Sequence, residues 1–130
     1  HADIVGVNPS LRAGAIGPEA AADALAASVD RKLEWVKEAA GDRFDDLELN
    51  VLSVATIVTD ERDAVAQAIA PAFGIEPAEV ADIPFTFVGD VDQLCGDLER
   101  RRERWGLSYV VVQQDAIEAF APVVERMAGR

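Results

Sequence analysis

One cysteine, Cys95, and one histidine, His1, are all the chain offers of the two side chains that most often carry nucleophilic and acid–base chemistry near neutral pH. A single thiol excludes an intrachain disulfide and a thiolate metal cluster. With His1 at the terminus there is no internal imidazole, which removes Ser-His-Asp and Cys-His arrangements and an imidazole zinc site. Cys95 falls on the apolar stripe of its predicted helix and reads as a core thiol. The run ERRRER at 99–104 suggests an anion site at first sight. Arginines at the carboxyl end of a helix complement its dipole, however, and Glu99 and Glu103 stand four residues apart, so a solvated face is expected. Asp42, Asp45, Asp46 and Glu48 cluster without the spacing of a calcium loop and read as solvated acids. Trp35 and Trp105 read as packing residues beneath strands.

The whole chain sets the limits within which any chemistry must work. Its 130 residues fit a single domain, 1–130, able to bury roughly two-thirds of its unfolded surface. Against 12 Lys plus Arg stand 24 Asp plus Glu, a formal charge of −12. That sign repels phosphate backbones and anionic lipid, so neither nucleic acid nor a membrane surface is an expected partner. The longest nearly apolar stretch, 51–58, is far short of the ~20 residues of a membrane span. Nothing resembles a secretion signal, and a cytoplasmic location is expected.

Periodicity supplies the elements. DIVGV at 3–7 is a β-branched run that predicts a buried strand, and the Asn-, Pro-, Ser- and Gly-containing stretch 8–17 predicts a loop. Pro18 suits a first helical position, and Leu25, Val29, Leu33, Val36 and Ala40 repeat at helical spacing, predicting one helix over 19–40 closed by Gly41. In LELNVLSVATIV, 47–58, Leu47, Leu49 and Val51 alternate with Glu48 and Asn50, predicting a strand with one polar face. Polar positions are unusual in a parallel strand covered on both sides, but suit the inner face of a barrel. Thr59 can cap a helix to about Ala72 with Val65, Ala68, Ile69 and Ala72 inward. A short helix over 76–82 and an extended, doubtful fourth strand over 85–88 follow.

Asp90 and Gln93 have capping-box spacing and open a helix to Trp105 whose buried face is Val91, Leu94, Cys95, Leu98 and Trp105. LSYVVV at 107–112 is the third clear strand. Asp115 and Glu118 again have capping spacing before a last helix facing inward with Ile117, Phe120, Val124 and Met127, where Pro122 should restart or kink the helix. Alternating strands and helices predict an α/β fold with right-handed crossovers and a parallel sheet. About three parallel strands leave two open edges, the pattern of part of something larger.

Three segments, ADIVGVNPSLRAGAIGP, DRKLEWVKEAAGDRFDDLELNVL and RRRERWGLSYVVVQQDAIEAFAPVVERMAG, together resemble the C-terminal part of luciferase-like monooxygenases. Within that family they are most similar to actinobacterial oxidoreductases that use coenzyme F-420, a deazaflavin, with FMN as the alternative cofactor. The resemblance implies a partial TIM (β/α)8-type barrel in which 3–7, 47–58 and 107–112 are the sixth, seventh and eighth strands. A whole barrel takes about 250 residues. The resemblance implies that most of the family's flavin-stacking and acid–base residues, and its cofactor-phosphate loop, belong to a first half that this chain does not contain. The resemblance therefore implies hydride transfer to or from an organic substrate only when that half is supplied.

Barrel sites gather at the carboxyl ends of the strands. The resemblance accordingly implies cofactor contacts from Asn8 and Ser10, and substrate contacts from Pro9, Thr56 and Gln113, with no catalytic residue and no metal ligand in this chain. Asn8 can donate to a cofactor carbonyl or phosphate; equally, Asn8 and Ser10 can close an Asx or ST turn before the helix. Gln113 can equally serve to start the last helix. Two partners are expected: the missing N-terminal half-barrel, or a second copy of the chain paired through its open edges. The second alternative makes the protein a non-catalytic, self-associating module.

Overall fold

The computed structural model describes residues 2–10 and 18–130; His1 and the second part of the 8–17 loop lie outside the described residues. The chain runs through strand β1 (Ile4–Gly6), helices α1 (Pro18–Asp23) and α2 (Ala26–Ala40), and strands β2 (Glu48–Leu52) and β3 (Ala55–Val58). Helix α3 (Arg62–Phe73), strand β4 (Thr86–Gly89), helix α4 (Val91–Trp105), strand β5 (Leu107–Val111) and helix α5 (Ile117–Met127) follow. Short 3-10 helices occupy Gly41–Asp46, Pro77–Asp82 and Gln114–Ala116. Every strand pair is parallel, as expected of an α/β chain: β1, β2 and β5 form one sheet in that order, and β3 pairs with β4 in a second.

The expected strand 47–58 is divided. Its first half lies between β1 and β5, and its second half leaves β5 to pair with β4. Two consecutive amides mark the change of partner: Ser53 N–H donates to Val111 O at 2.8 Å and Val54 N–H to Phe85 O at 2.8 Å. The fourth strand thus exists, and it is buried along its whole length. Phe87 within it and Phe85 just before it are fully enclosed, and Phe87 meets Phe120 edge-on with ring centres 6.0 Å apart. Burial of such rings contributes about 2–3 kcal/mol each.

The expected helix 19–40 is also two helices. Leu25 is extended (φ −73°, ψ 157°), and just before it the Asp23 carboxylate accepts from Ser28 Oγ and Lys32 Nζ. A short acid that bonds locally in this way competes with the helical ladder and permits the break. Beyond it Val29 and Leu33 are buried as their spacing predicts. In α3 the inward residues are Ala66 and Ala70, while Ala68 and Ala72, expected inside, are exposed. In α5 Phe120 and Val123 are buried, and Ile117 and Val124 are exposed. That helix runs unbroken through Pro122, which lies in its second turn and forgoes only the bond to Glu118. Asp115 falls in the preceding 3-10 turn, and no side chain caps α5.

Helix α4 departs most from its pattern. The Asp90–Gln93 capping box is present, with Gln93 N–H donating to Asp90 Oδ1 at 2.8 Å and Asp90 N–H to Gln93 Oε1 at 3.0 Å. The expected solvated arginine face, however, includes Arg101, only 4% exposed. Its guanidinium donates to the carbonyls of Thr86, Ile83, Ala81 and Pro84 at 2.7, 2.9, 3.1 and 3.4 Å, and stacks 4.5 Å from the centre of the Phe87 ring. One side chain thereby satisfies the carbonyls where the chain leaves the Pro77–Asp82 turn for β4. Neighbouring Asp97, also buried, accepts from Arg62 of α3 and Arg100. Of the tryptophans, Trp105 is buried with its Nε1–H on Asp30, whereas Trp35 is an exposed surface residue.

One face of the three-stranded sheet packs on the helices through Val5, Leu49, Val51 and Leu107. The opposite face carries Ile4, Glu48, Leu52 and Tyr109, and leaves Ile4 51%, Leu52 42% and Tyr109 42% exposed. No helix among the described residues is long and apolar enough to cross a membrane.

Candidate functional site

Parallel strands end on the same side of a sheet, so whatever follows β1, β2 and β5 is brought together without any long-range motif. Asn8 stands two residues beyond β1, Ser53 directly after β2, and Gln113 two residues beyond β5. All three line a cleft of about 240 Å³, with Pro9, Val54 and Phe73 among the apolar residues that complete it. No charged side chain is among its described lining residues. In a chain with 24 acidic and 12 basic residues, that is a selective composition.

Backbone partners fix the orientation of both amides. Asn8 Oδ1 accepts from Leu52 N–H at 3.0 Å, and Gln113 Nε2 donates to Ser53 O at 3.2 Å. An N–H can only donate and a carbonyl can only accept, so neither side chain can be turned over without losing its bond. The Asn8 Nδ2 donor and the Gln113 Oε1 acceptor have no partner among the described residues. Gly6 leaves room for the first of these, since a Cβ there would lie 3.1 Å from Asn8 Nδ2.

Behind this wall stands a charged brace. Lys32 Nζ donates to Asn8 O at 2.9 Å and to Asp23 Oδ2 at 2.6 Å, and Ser10 N–H donates to the same carboxylate oxygen at 2.6 Å. Partial burial works to raise the Asp23 pKa. It is outweighed by the hydrogen bonds from Lys32, Ser28 and Ser10 and by the Lys32 charge, which hold it down to about 2. The brace ties the 8–10 loop to α1 and α2.

Three of the five expected contact residues, Asn8, Pro9 and Gln113, therefore line one cleft. Thr56 does not reach it: its hydroxyl shares a 2.7 Å hydrogen bond with that of buried Ser53 and supports the wall from behind. Ser10 points its backbone N–H at Asp23 and is not a lining residue. Sequence reasoning passed over Ser53, Phe73 and the Asp23–Ser28–Lys32 brace. Ser28 and Lys32, four apart beside Val29 and Leu33, are the one signal that could have shown the brace.

Comparison of the chain with family models, curated proteins and solved structures finds no match.

A larger cavity of about 420 Å³ beside α4 is lined by Asp97, Arg100, Arg101, Arg104 and Trp105. Its arginines are committed, Arg100 to Asp97, Arg104 to Asp30 and Arg101 to four carbonyls. Burial pushes the Arg101 pKa down to about 10, and it stays a cation at neutral pH. The cavity belongs to the packing of α4. No group of three or more potential metal ligands occurs among the described residues.

Proposed function

We propose that this chain is the C-terminal portion of a deazaflavin- or flavin-dependent oxidoreductase of the luciferase-like type, a partial TIM (β/α)8 barrel that supplies one wall of the pocket. The observation that carries the reading is the meeting of Asn8, Pro9 and Gln113 in one uncharged cleft at the carboxyl ends of parallel strands. The fit to coenzyme F-420 or FMN is partial. A neutral wall with one amide donor and one amide acceptor suits an edge of the ring system. Among the described residues that line the cleft a phosphate finds no cation, and the nearby Lys32 is held by Asp23. The cleft is also below the roughly 300–1,000 Å³ of a complete small-molecule site. Bound coenzyme would supply the hydride chemistry, and this chain's residues would orient it and exclude water.

A second reading, a self-associating module without turnover, is favoured by the uncovered face around Ile4 and Tyr109 and by the unpaired outer edges of β1 and β5. The charge of −12 per copy opposes it. Native mass spectrometry separates the two. The redox reading expects the 13.9 kDa chain in a complex with a second polypeptide and a bound deazaflavin or flavin. A cofactor-free homo-oligomer would overturn it.

A further inference from the structure

We infer that the uncovered face of the sheet formed by β1, β2 and β5 docks a second polypeptide that lays a lysine or arginine against Glu48. The inference rests on the proposed reading that another segment completes this fold, and names the charge which that segment carries. Register puts Ile4 and Glu48 side by side at the amino-terminal end of the face, and Asn50 beside Tyr109 further along. Leu52 stands at the far end of β2 on the same face. Ile4, Leu52 and Tyr109 are about half exposed, so the face is an apolar patch with one exposed carboxylate set in it. Glu48 has no ion-pair partner among the described residues, and Arg43, which reaches this end of the sheet, is engaged by Asp3 and Ala2 O. Covering the face strips the Glu48 carboxylate of water. A cation on the covering surface offsets that cost, and an apolar or acidic surface does not.

A second copy brings no such cation. Its matching face repeats Ile4, Glu48, Asn50, Leu52 and Tyr109, none of them basic. A two-fold axis along the strands would join each β5 edge to a β1 edge in parallel, and would point two Glu48 carboxylates into one enclosed space. Arg12 comes after the carboxyl end of β1, whereas Glu48 stands beside the first residue of that strand. Charge complementarity therefore selects a basic partner over a copy of this chain.

The charge can be isolated with a copy that carries it. Glu48→Lys offers the same edges and the same apolar face with the sign reversed, and Glu48 is exposed, so the substitution leaves the fold intact. The test mixes the isotope-labelled variant with the unlabelled parent, both as full chains, and reads the dimers by native mass spectrometry. At about pH 8.5 the His1 imidazole and the amino terminus are largely neutral. In about 0.5 M salt, general repulsion is screened within about 4 Å, while an enclosed pair is screened much less. A mixed dimer about tenfold tighter than either dimer of like chains is expected. The ring signals of Tyr109, the chain's only tyrosine, should shift on mixing. Glu48→Gln in place of Glu48→Lys should lose most of the preference. Equal affinities for mixed and like pairs, no mixed dimer, an equally tight dimer with Glu48→Gln, or a dimer that leaves Tyr109 unmoved would each overturn the inference. A flavin-containing complex with a natural second polypeptide that takes Glu48→Lys as tightly as the parent chain removes this inference and leaves the redox reading standing. Preference for the mixed dimer in a chain whose natural complex never holds a flavin keeps the inference and removes the redox reading.

Discussion

Asp23 and Arg101 show how differently two charged residues can serve one fold. Asp23 is depressed to about 2 in the folded chain, below the ordinary aspartate value of about 3.9. Its contribution is therefore fully present above about pH 4 and is lost as the pH falls through about 2. The carboxylate is partly exposed, so solvent screening reduces the contribution to about 1 kcal/mol. Asp23→Asn should lower stability by that amount at pH 7, and urea unfolding of the two proteins should converge between pH 4 and pH 2. A gap that persisted at pH 2 would place the contribution in hydrogen bonding that the amide cannot replace. Arg101 is a packing residue with four carbonyl partners and an aromatic face. Arg101→Met should cost about 3–4 kcal/mol, because buried acceptors lose their donors. Glu99→Ala, two residues away on the exposed side of α4, should stay within about 0.5 kcal/mol. Equal denaturation midpoints for these two variants would contradict the assigned role.

At the scale of elements, local rules were legible wherever a residue acts on its own neighbours. The Asp90–Gln93 box, the inward face of α2 and the alternation of Leu49 and Val51 against Glu48 all follow from spacing and stand in the structure. Asp90→Ala should accordingly cost about 1 kcal/mol, measurable by urea denaturation, since it removes the acceptor for Gln93 N–H. What spacing could not convey was the choice among distant partners. The bifurcation at Ser53 depends on Val111 and Phe85, and the burial of Arg101 depends on carbonyls 15–20 residues earlier. The break at Leu25 likewise needs Lys32 to reach both Asp23 and Asn8. The cleft was legible in part for the same reason. Asn8 and Gln113 follow strand ends directly, whereas Phe73 arrives from the end of α3, and the hydroxyl of Thr56 is taken up by Ser53.

For the molecule as a whole, the decisive feature is the sheet face that its own helices do not cover. Parallel sheets are found with both faces buried, and this one leaves Ile4 and Tyr109 about half exposed between two unpaired strand edges. Covering it with parallel strands from another segment would satisfy the edges and the apolar side chains together. A second copy would bring another −12 charge to the same surface, at separations where screening over about 8 Å is incomplete. The two alternatives respond differently to salt: self-association should strengthen markedly between about 0.05 and 0.5 M as the repulsion is screened, while closure by a complementary segment should change little. Ile4→Glu with Tyr109→Glu should abolish either assembly in light scattering while leaving the thermal midpoint of the separated chain within a few degrees, because both side chains are already wet. Retention of the assembly in that double variant would mean that the open face is not where this chain meets its partner.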